Sequence, residues 1–238
     1  MVDSKRLFVG VRVSVATANA LARCAEALAR RARDANVEIA WVRPENYHVT
    51  LKFLGWTHGE AVVAICDHIE AALVGMKPFS FQTSRLGGFP SLDSASVLWA
   101  GVESRDGSPL AEIAERIDRA TTALGFPAEN RPFHAHVTLG RVAIPVRTPA
   151  AGLPGVSKTR SLRDLVLPVS EQMFSKTEVD AVTLLESINK SGSYTYESRA
   201  RISFKTAEID LKRQREALDL ADETDDGWSE SAAREQAQ

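Results

Sequence analysis

One tetrapeptide occurs twice in this chain: His48-Val49-Thr50-Leu51 returns unchanged as His136-Val137-Thr138-Leu139. Each copy lies in a run of apolar and β-branched residues, which is typical of a strand, and a glycine follows each copy within a few residues. A strand motif that recurs in this way predicts two halves related by an approximate twofold axis.

The segments around the two copies alternate between strand and helix patterns. These patterns predict strands at residues 7–13, 38–42, 48–55, 79–83, 96–102, 133–142, 179–186 and 194–204. They also predict helices at 17–34, from the capping box Thr57-His58-Gly59-Glu60 onward, and at 109–124. The run Gly87-Gly88-Phe89-Pro90 predicts a loop. Because strands and helices alternate in both halves, we expect an α+β or α/β protein with two sheet lobes.

The C-terminal segment, residues 206–238, differs in charge from the rest of the chain. It holds ten acidic and four basic residues, a net charge of −6, which leaves +4 on residues 1–205 of a chain whose total is −2. We expect residues 1–205 to form the domain and 206–238 to form a charged tail, helical at 206–222 and disordered beyond. A mildly basic domain suits a phosphate-bearing ligand but is too weakly charged for a dedicated nucleic-acid-binding protein.

The same sequence carries no pattern of export or membrane insertion. Its beginning lacks the apolar segment and cleavage site of a signal peptide, and no apolar run approaches the ~20 residues of a membrane-spanning helix. Cys24 and Cys66 lie on predicted helices beside apolar residues, as buried free cysteines usually do. We therefore expect a cytoplasmic protein with no membrane association. As a separate expectation, the protein is a monomer.

Alternation along a strand gives each tetrapeptide two faces. Side chains at positions i and i+2 point to the same side of a sheet, so histidine and threonine share one face, and valine and leucine share the other. We expect the histidine and threonine of each copy to line a cleft, and the valine and leucine to be buried. Across a twofold axis, both imidazoles can then reach one substrate atom from opposite sides.

Paired histidines and threonines in one cleft suit phosphodiester hydrolysis. One imidazole takes a proton from water while the other protonates the leaving oxygen, and an ordinary pKa of about 6.5 allows both states near neutral pH. Threonine hydroxyls donate hydrogen bonds to the non-bridging oxygens, where charge grows in the transition state. The candidate catalytic residues are His48, Thr50, His136 and Thr138. Arg141 is a candidate phosphate ligand, and alternation places Lys52 on the face of His48.

A structural role is the alternative to catalysis for these histidines. A single His-x-Thr on a strand is weak evidence, since a structural histidine is more common, but two identical copies in equivalent settings favour catalysis. Cys-x-x-Cys and His-Glu-x-x-His spacings are missing, and His134 with His136 supplies only two metal ligands. We expect no cofactor and no metal, with His134 partly solvated at the start of its strand.

The residues around both copies resemble the 2H phosphoesterase superfamily, and within it the RNA 2′,3′-cyclic phosphodiesterase (2′-5′ RNA ligase-like) branch. The resemblance is carried by residues 48–55 and 136–141, by the lead-in Pro44-Glu45-Asn46-Tyr47, and by residues 7–11, 184–187 and 192–196. It covers about residues 5–205. Three features depart from the pattern: Ala135, where the branch often has proline, His134, and the stretch 156–180.

This resemblance implies a bilobal fold in which two pseudo-symmetric antiparallel-sheet lobes carry helices outside and enclose a central cleft. It implies metal-independent hydrolysis of a terminal 2′,3′-cyclic phosphate, on an RNA or oligonucleotide end, to a 2′-phosphomonoester. The resemblance also implies that His48 protonates the departing 3′-oxygen and that His136 activates water.

Three other functions stay open at this point: a cyclic phosphodiesterase of small nucleotides, an enzyme that also has 2′-5′ RNA ligase activity, and a non-catalytic nucleotide-binding module. Trp41 and Tyr47 are candidates for stacking a nucleobase beside the cleft, and equally for ordinary core or rim aromatics. The sequence does not place Phe89 relative to the cleft.

Overall fold

A computed structural model describes residues 4–104, 107, 109–142, 162–169, 173–190 and 193–204. Its strands are β1 (Ser4–Arg12), β2 (Ile39–Trp41), β3 (His48–His58), β4 (Phe79–Phe89), β5 (Val97–Glu103), β6 (His136–Val142), β7 (Met173–Val179), β8 (Ala181–Lys190) and β9 (Ser193–Ser203). Its helices are α1 (Val15–Asp34), α2 (Ala61–Ala72), α3 (Pro109–Thr122) and α4 (Leu162–Val166). Short 3-10 turns lie at Pro44–Asn46 and Leu167–Val169.

The strands pair into one antiparallel sheet in the order β7-β4-β5-β6-β3-β1-β8-β9, and β2 pairs with β6. The two motif strands meet in the middle, where Val49 of β3 pairs with Val137 of β6. Because their ladder is this single pair, the strands separate on either side of it and divide the sheet into two lobes. The first lobe contains β3, β1, β8 and β9, and the second contains β6, β5, β4 and β7. The architecture is the α+β, two-lobed arrangement that the sequence predicts.

Apolar helix faces form one core with the sheet. Helix α1 begins after Ser14, whose Oγ accepts a hydrogen bond from the Thr17 amide at 3.2 Å. The core includes Leu21 and Leu28 of α1, Ile65 and Ile69 of α2, Ile113 and Ile117 of α3, and the valine and leucine of both motifs. Burial of each large apolar side chain contributes about 1.5–3 kcal/mol, so this packing fixes which face of each motif strand is left for chemistry.

Two boundaries differ from the sequence prediction in ways that affect the site. β4 continues through the glycines predicted as a loop, and a Cβ on Gly87 would lie 2.3 Å from the Trp99 ring. That glycine therefore makes room for an indole. β3 runs to His58 with Thr57 buried, so the predicted capping box does not form; Glu60 precedes α2 without a side-chain cap.

The poorly matched stretch 156–180 contains α4 and β7, which the sequence patterns do not predict. β7 pairs with β4 and forms the outer edge of the second lobe. The predicted helix at 206–222 and the end of the tail lie outside the described residues. Within the described residues, no helix combines the length and apolar character that crossing a membrane requires.

Candidate active site

Both motifs place histidine and threonine on one face of the sheet. In each copy these two side chains are partly exposed, whereas the valine and the leucine are buried. We call the face that carries His48, Thr50, His136 and Thr138 the cleft face. The alternation of the tetrapeptides is thus the alternation that the sequence predicts.

A β-bulge follows the threonine of each motif at the same place. The register of β3 against β1 shifts at Leu51, and the register of β6 against β5 shifts at Leu139. Each bulge adds one unpaired residue to the motif strand, which shifts the alternation by one position beyond it. Phe53 and Arg141 consequently lie on the cleft face, and both are exposed.

Backbone carbonyls orient the two imidazoles in the same way. Nδ1 of His48 lies 2.6 Å from the Asn46 carbonyl oxygen, and Nδ1 of His136 lies 2.7 Å from the His134 carbonyl oxygen. A carbonyl only accepts, so each Nδ1 carries the proton, and Nε2 of the neutral ring carries a lone pair. The Thr50 hydroxyl, 3.0 Å from Nε2 of His48, then donates to it.

Burial is the main influence on the charge of both rings. Burial lowers the pKa of His48 to about 4, and the charges of Arg12 and His136 lower it further. The hydrogen bond to the Asn46 carbonyl raises this pKa but does not offset burial. Burial also lowers the pKa of His136, and the charge of His134 lowers it further. The hydrogen bond to the His134 carbonyl raises this pKa but does not offset burial. Both imidazoles of the free protein are therefore neutral at pH 7.

Aromatic side chains surround each histidine on the cleft face. Phe8 and Tyr196 flank His48, and Phe89 and Trp99 flank His136. The ring centroids lie 4.9 Å apart for Phe8 and His48, 5.1 Å for Tyr196 and His48, 5.0 Å for Phe89 and His136, and 6.3 Å for Trp99 and His136. The sequence alone leaves Phe89 without a position and predicts no role for the other three. Phe8 and Trp99 could have been predicted from the alternation of side chains along β1 and β5, because these strands pair with the motif strands.

Arg12 is a further residue of the site, and the sequence does not predict its role. It is the cross-strand partner of His48, and its guanidinium donates to the carbonyls of Glu45 at 2.7 Å and Tyr196 at 2.6 Å. These bonds hold a positive charge beside His48. Two residues earlier, a Cβ on Gly10 would lie 3.3 Å from Cδ2 of His48 and 2.8 Å from a strand carbonyl, so glycine leaves room for the ring.

Two predicted substrate contacts are corrected by their placement. Lys52 lies beyond the bulge on the core side, is only 4% exposed, and donates to the Asp118 carboxylate and the Pro127 carbonyl. Tyr47 is 2% exposed and packs in the core, so its ring offers no face to a base. Trp41 is partly exposed on β2, beside β6, and packs against the edge of the core.

Arg141 lies at the cleft and acts across it. Its positive charge, with that of Arg6, lowers the pKa of Tyr196, although burial, the larger cause, leaves that pKa raised overall. Arg141 belongs to the second lobe and Tyr196 to the first. The guanidinium groups of Arg12, from the first lobe, and Arg141, from the second, therefore border the cleft on its two sides.

A metal site would need a cluster of histidine, cysteine or acidic side chains among the described residues. No group of three or more histidine, cysteine or acidic side chains there is arranged to hold a metal ion. His134 is exposed just before β6, where its ring centroid lies 5.3 Å from that of Phe89 and 5.0 Å from that of Trp99.

Known proteins match this chain over its motif-bearing part. The model of a family described as LigT-like phosphoesterase matches residues 13–99 and 102–160. The RNA 2′,3′-cyclic phosphodiesterase of Aeropyrum pernix is 30% identical over 152 residues, 64% of this chain and 78% of that protein. The protein of the same name from Archaeoglobus fulgidus is 31% identical over 147 residues, 62% of this chain and 73% of that protein. The match to the one from Geobacillus stearothermophilus spans 47% of that protein's length.

Solved structures share the fold. TT0787 of Thermus thermophilus superimposes with a TM-score of 0.63 at 22% identity, covering 85% of this chain and 99% of that chain. Escherichia coli LigT complexed with 3′-AMP superimposes with a TM-score of 0.59 at 20% identity, covering 85% and 99%. The family match covers more than half of the chain and confirms the resemblance to 2H phosphoesterases. This chain belongs to the LigT-like phosphoesterase family.

Proposed function

We propose that this protein hydrolyses the terminal 2′,3′-cyclic phosphate of RNA to a 2′-phosphate, with His48 and His136 as a metal-independent acid–base pair. The observation that carries the proposal is the matched hydrogen bonding of the two imidazoles, which turns each Nε2 toward the cleft face, where that of His48 meets the Thr50 hydroxyl. The shared name of the curated relatives supports the substrate class.

The reaction balances with two imidazoles and one water molecule. His136 accepts a proton from water at Nε2, the water oxygen attacks phosphorus, and the bond from phosphorus to the ribose 3′-oxygen breaks. The 3′-oxygen takes a proton from Nε2 of His48. One histidine gains the proton that the other loses, and exchange with solvent restores both. The products are a 2′-phosphomonoester and a 3′-hydroxyl on the same ribose.

The charge of the substrate prepares His48 for its role as acid. The free protein holds this ring neutral, so its proton must be taken up when substrate binds. A cyclic phosphodiester carries one negative charge, and an anion beside an imidazole raises the pKa of that imidazole. Once Nε2 of His48 carries a proton, the Thr50 hydroxyl no longer donates to it. That hydroxyl, the Thr138 hydroxyl and the Arg141 guanidinium then donate to the non-bridging oxygens, where charge grows in the transition state.

The test is product identification with an oligonucleotide that ends in a 2′,3′-cyclic phosphate, in the presence of EDTA. We expect a 2′-phosphate, lost in His136→Ala and retained in the matched control His68→Ala, whose ring is exposed on α2. A 3′-phosphate product would reverse which ribose oxygen leaves. Inhibition by EDTA would contradict the metal-free scheme, and nucleotide binding without hydrolysis would indicate a binding module.

A further inference from the structure

The cleft face of the first lobe continues past the motif as an exposed aromatic surface. Phe53 is 65% exposed and Trp56 is 75% exposed, although both are large apolar side chains on a central strand. Both follow His48 and Thr50 along β3. Contiguous apolar surface that soluble proteins leave uncovered next to a functional site usually marks a binding surface.

Strand register places both rings on the face of the catalytic histidine. Phe8 contacts the His48 ring, which fixes the cleft face of β1, and Arg6 shares that face because it lies two residues earlier. Cross-strand partners also share a face. Phe53 is the partner of Phe8, and Trp56 is the partner of Arg6.

The spacing and charge of this surface suit a single RNA strand. Phe8 and Arg6 are two residues apart on a strand, so their partners Phe53 and Trp56 lie roughly 7 Å apart along the sheet. Arg6 is exposed beside them, and its influence on Tyr196 places its charge at the cleft. On this face, β1 and β3, which are both described along their whole length, carry no acidic residue.

We propose that Phe53, Trp56 and Arg6 bind the nucleotides that precede the terminal cyclic phosphate. The two rings stack on successive bases, and the guanidinium pairs with a backbone phosphate. Aromatic platforms beside basic side chains bind single-stranded nucleic acid in this way, with little sequence preference. The inference rests on the proposed function and extends it, because it makes an RNA chain a better substrate than a cyclic mononucleotide.

The first measurement is a length series of substrates, from a cyclic mononucleotide to a pentanucleotide ending in a 2′,3′-cyclic phosphate. We expect KM of the wild type to fall up to the trinucleotide and then level off. Trp56→Ala raises KM for the trinucleotide about tenfold, the scale of one stacked base, and leaves kcat and KM for the mononucleotide unchanged. Trp56→Phe retains the wild-type pattern, since it keeps a stacking ring. The matched control is Val63→Ala, at a 68% exposed position on α2.

A second measurement, fluorescence anisotropy of a labelled oligonucleotide bearing a 3′-phosphate, reports binding without turnover. We expect Arg6→Gln to weaken binding and to lessen its salt dependence, because one phosphate contact is lost. Trp56→Ala should weaken the same binding while Trp56→Phe does not. These effects need no hydrolysis, so they separate the RNA-binding surface from the catalytic proposal.

The outcomes distinguish the two proposals. An unchanged trinucleotide KM in Trp56→Ala overturns the RNA-binding surface while hydrolysis of the mononucleotide keeps the function. Binding that depends on Trp56, in a protein that hydrolyses no cyclic phosphate, keeps the surface and overturns the function. A wild-type dimer that Trp56→Ala converts to a monomer in sedimentation, with RNA affinity unchanged, assigns the rings to a protein contact and overturns the RNA site.

Discussion

The two lobes carry the same tetrapeptide but surround it differently. In each lobe the histidine donates from Nδ1 to a carbonyl two residues upstream, and a bulge follows the threonine. The neighbouring strand supplies Arg12, Gly10 and Phe8 opposite the first motif strand, and Gly101, Trp99 and Val97 opposite the second. Repetition thus sets the position of each imidazole, whereas the neighbouring strand sets its surroundings.

That difference suits a reaction in which two identical rings must act differently. Arg12 lies opposite His48, and the equivalent position opposite His136 is Gly101, which carries no charge. Beyond the bulges, Phe53 occupies in the first lobe the position that Arg141 occupies in the second. An aromatic surface therefore borders one side of the cleft and a cation borders the other, which gives a bound nucleotide a direction.

The largest expected effect comes from removing either imidazole. We expect His48→Ala and His136→Ala each to lower kcat for a cyclic-phosphate oligonucleotide by about 10²–10⁴, the usual contribution of a positioned acid or base. Because the two rings act in one proton cycle, the double variant should lose little more than the worse single variant. Steady-state and single-turnover rates measure both. Losses that multiply in the double variant would show that the rings act independently.

The buried ion pair between Lys52 and Asp118 gives the next largest effect. Lys52 joins β3 to Asp118 of α3, and the position equivalent to Lys52 in the second lobe is Gly140. Asp118→Ala leaves a buried ammonium without its partner and should cost about 3–5 kcal/mol in the free energy of unfolding. Lys52→Met should cost less, because the carboxylate left behind is partly exposed.

Urea unfolding measures both losses. The control is Glu115→Ala on the same helix, whose exposed pair with Arg119 should contribute less than about 1 kcal/mol. Equal losses in the Asp118 and Glu115 variants would contradict a structural role for the buried pair.

Alternation predicts the site only as far as the first bulge. His48, Thr50 and their second-lobe counterparts fall on the predicted face because the motif strands pair regularly there. Beyond the bulge at Leu51, side chains two residues apart no longer share the face that the motif predicts. Lys52, which simple alternation places at the cleft, therefore lies in the core. A bulge depends on how two distant strands pair, and the tetrapeptide carries no local signal of it.

The other differences have tertiary causes as well. Gly87 has the local character of a loop but lies in β4, where its missing side chain admits the Trp99 ring. Tyr47 follows a turn and has a polar tip, yet the surrounding helix and strand bury it. Arg12 ends a strand like many surface arginines, and only its pairing with His48 gives it a place in the site. The positions of Gly87, Tyr47 and Arg12 are all determined by contacts with residues far away in the sequence.

Acid sensitivity of the fold is a smaller effect with a definite sign. The pKa of His48 is about 4 in the folded protein, below the ordinary 6.5 of the unfolded chain. Between these values the unfolded chain binds a proton that the folded protein excludes, so stability falls as pH drops through 6.5 toward 4. Below the folded pKa the loss levels off.

Urea midpoints measured from neutral pH downward test this sign. We expect His48→Gln to lose less stability than the wild type on acidification, because glutamine does not titrate. His68→Gln, at an exposed position, should behave like the wild type. A His48 variant with the full wild-type slope would assign the acid sensitivity to other groups.

The smallest expected effect tests the lobe comparison most directly. Arg12→Gln removes a positive charge that disfavours the imidazolium of His48, so the pKa of His48 should rise from about 4. It should stay below the ordinary 6.5, because burial is the larger cause and is retained. The Cε1 proton shift of His48 in an NMR titration reads this pKa. Arg141→Gln is the control, since its charge is not among the influences on that ring. If His48 titrates alike in the Arg12 variant and the wild type, the neighbouring strand does not set the charge of the ring, and the electrostatic asymmetry of the lobes is due to burial alone.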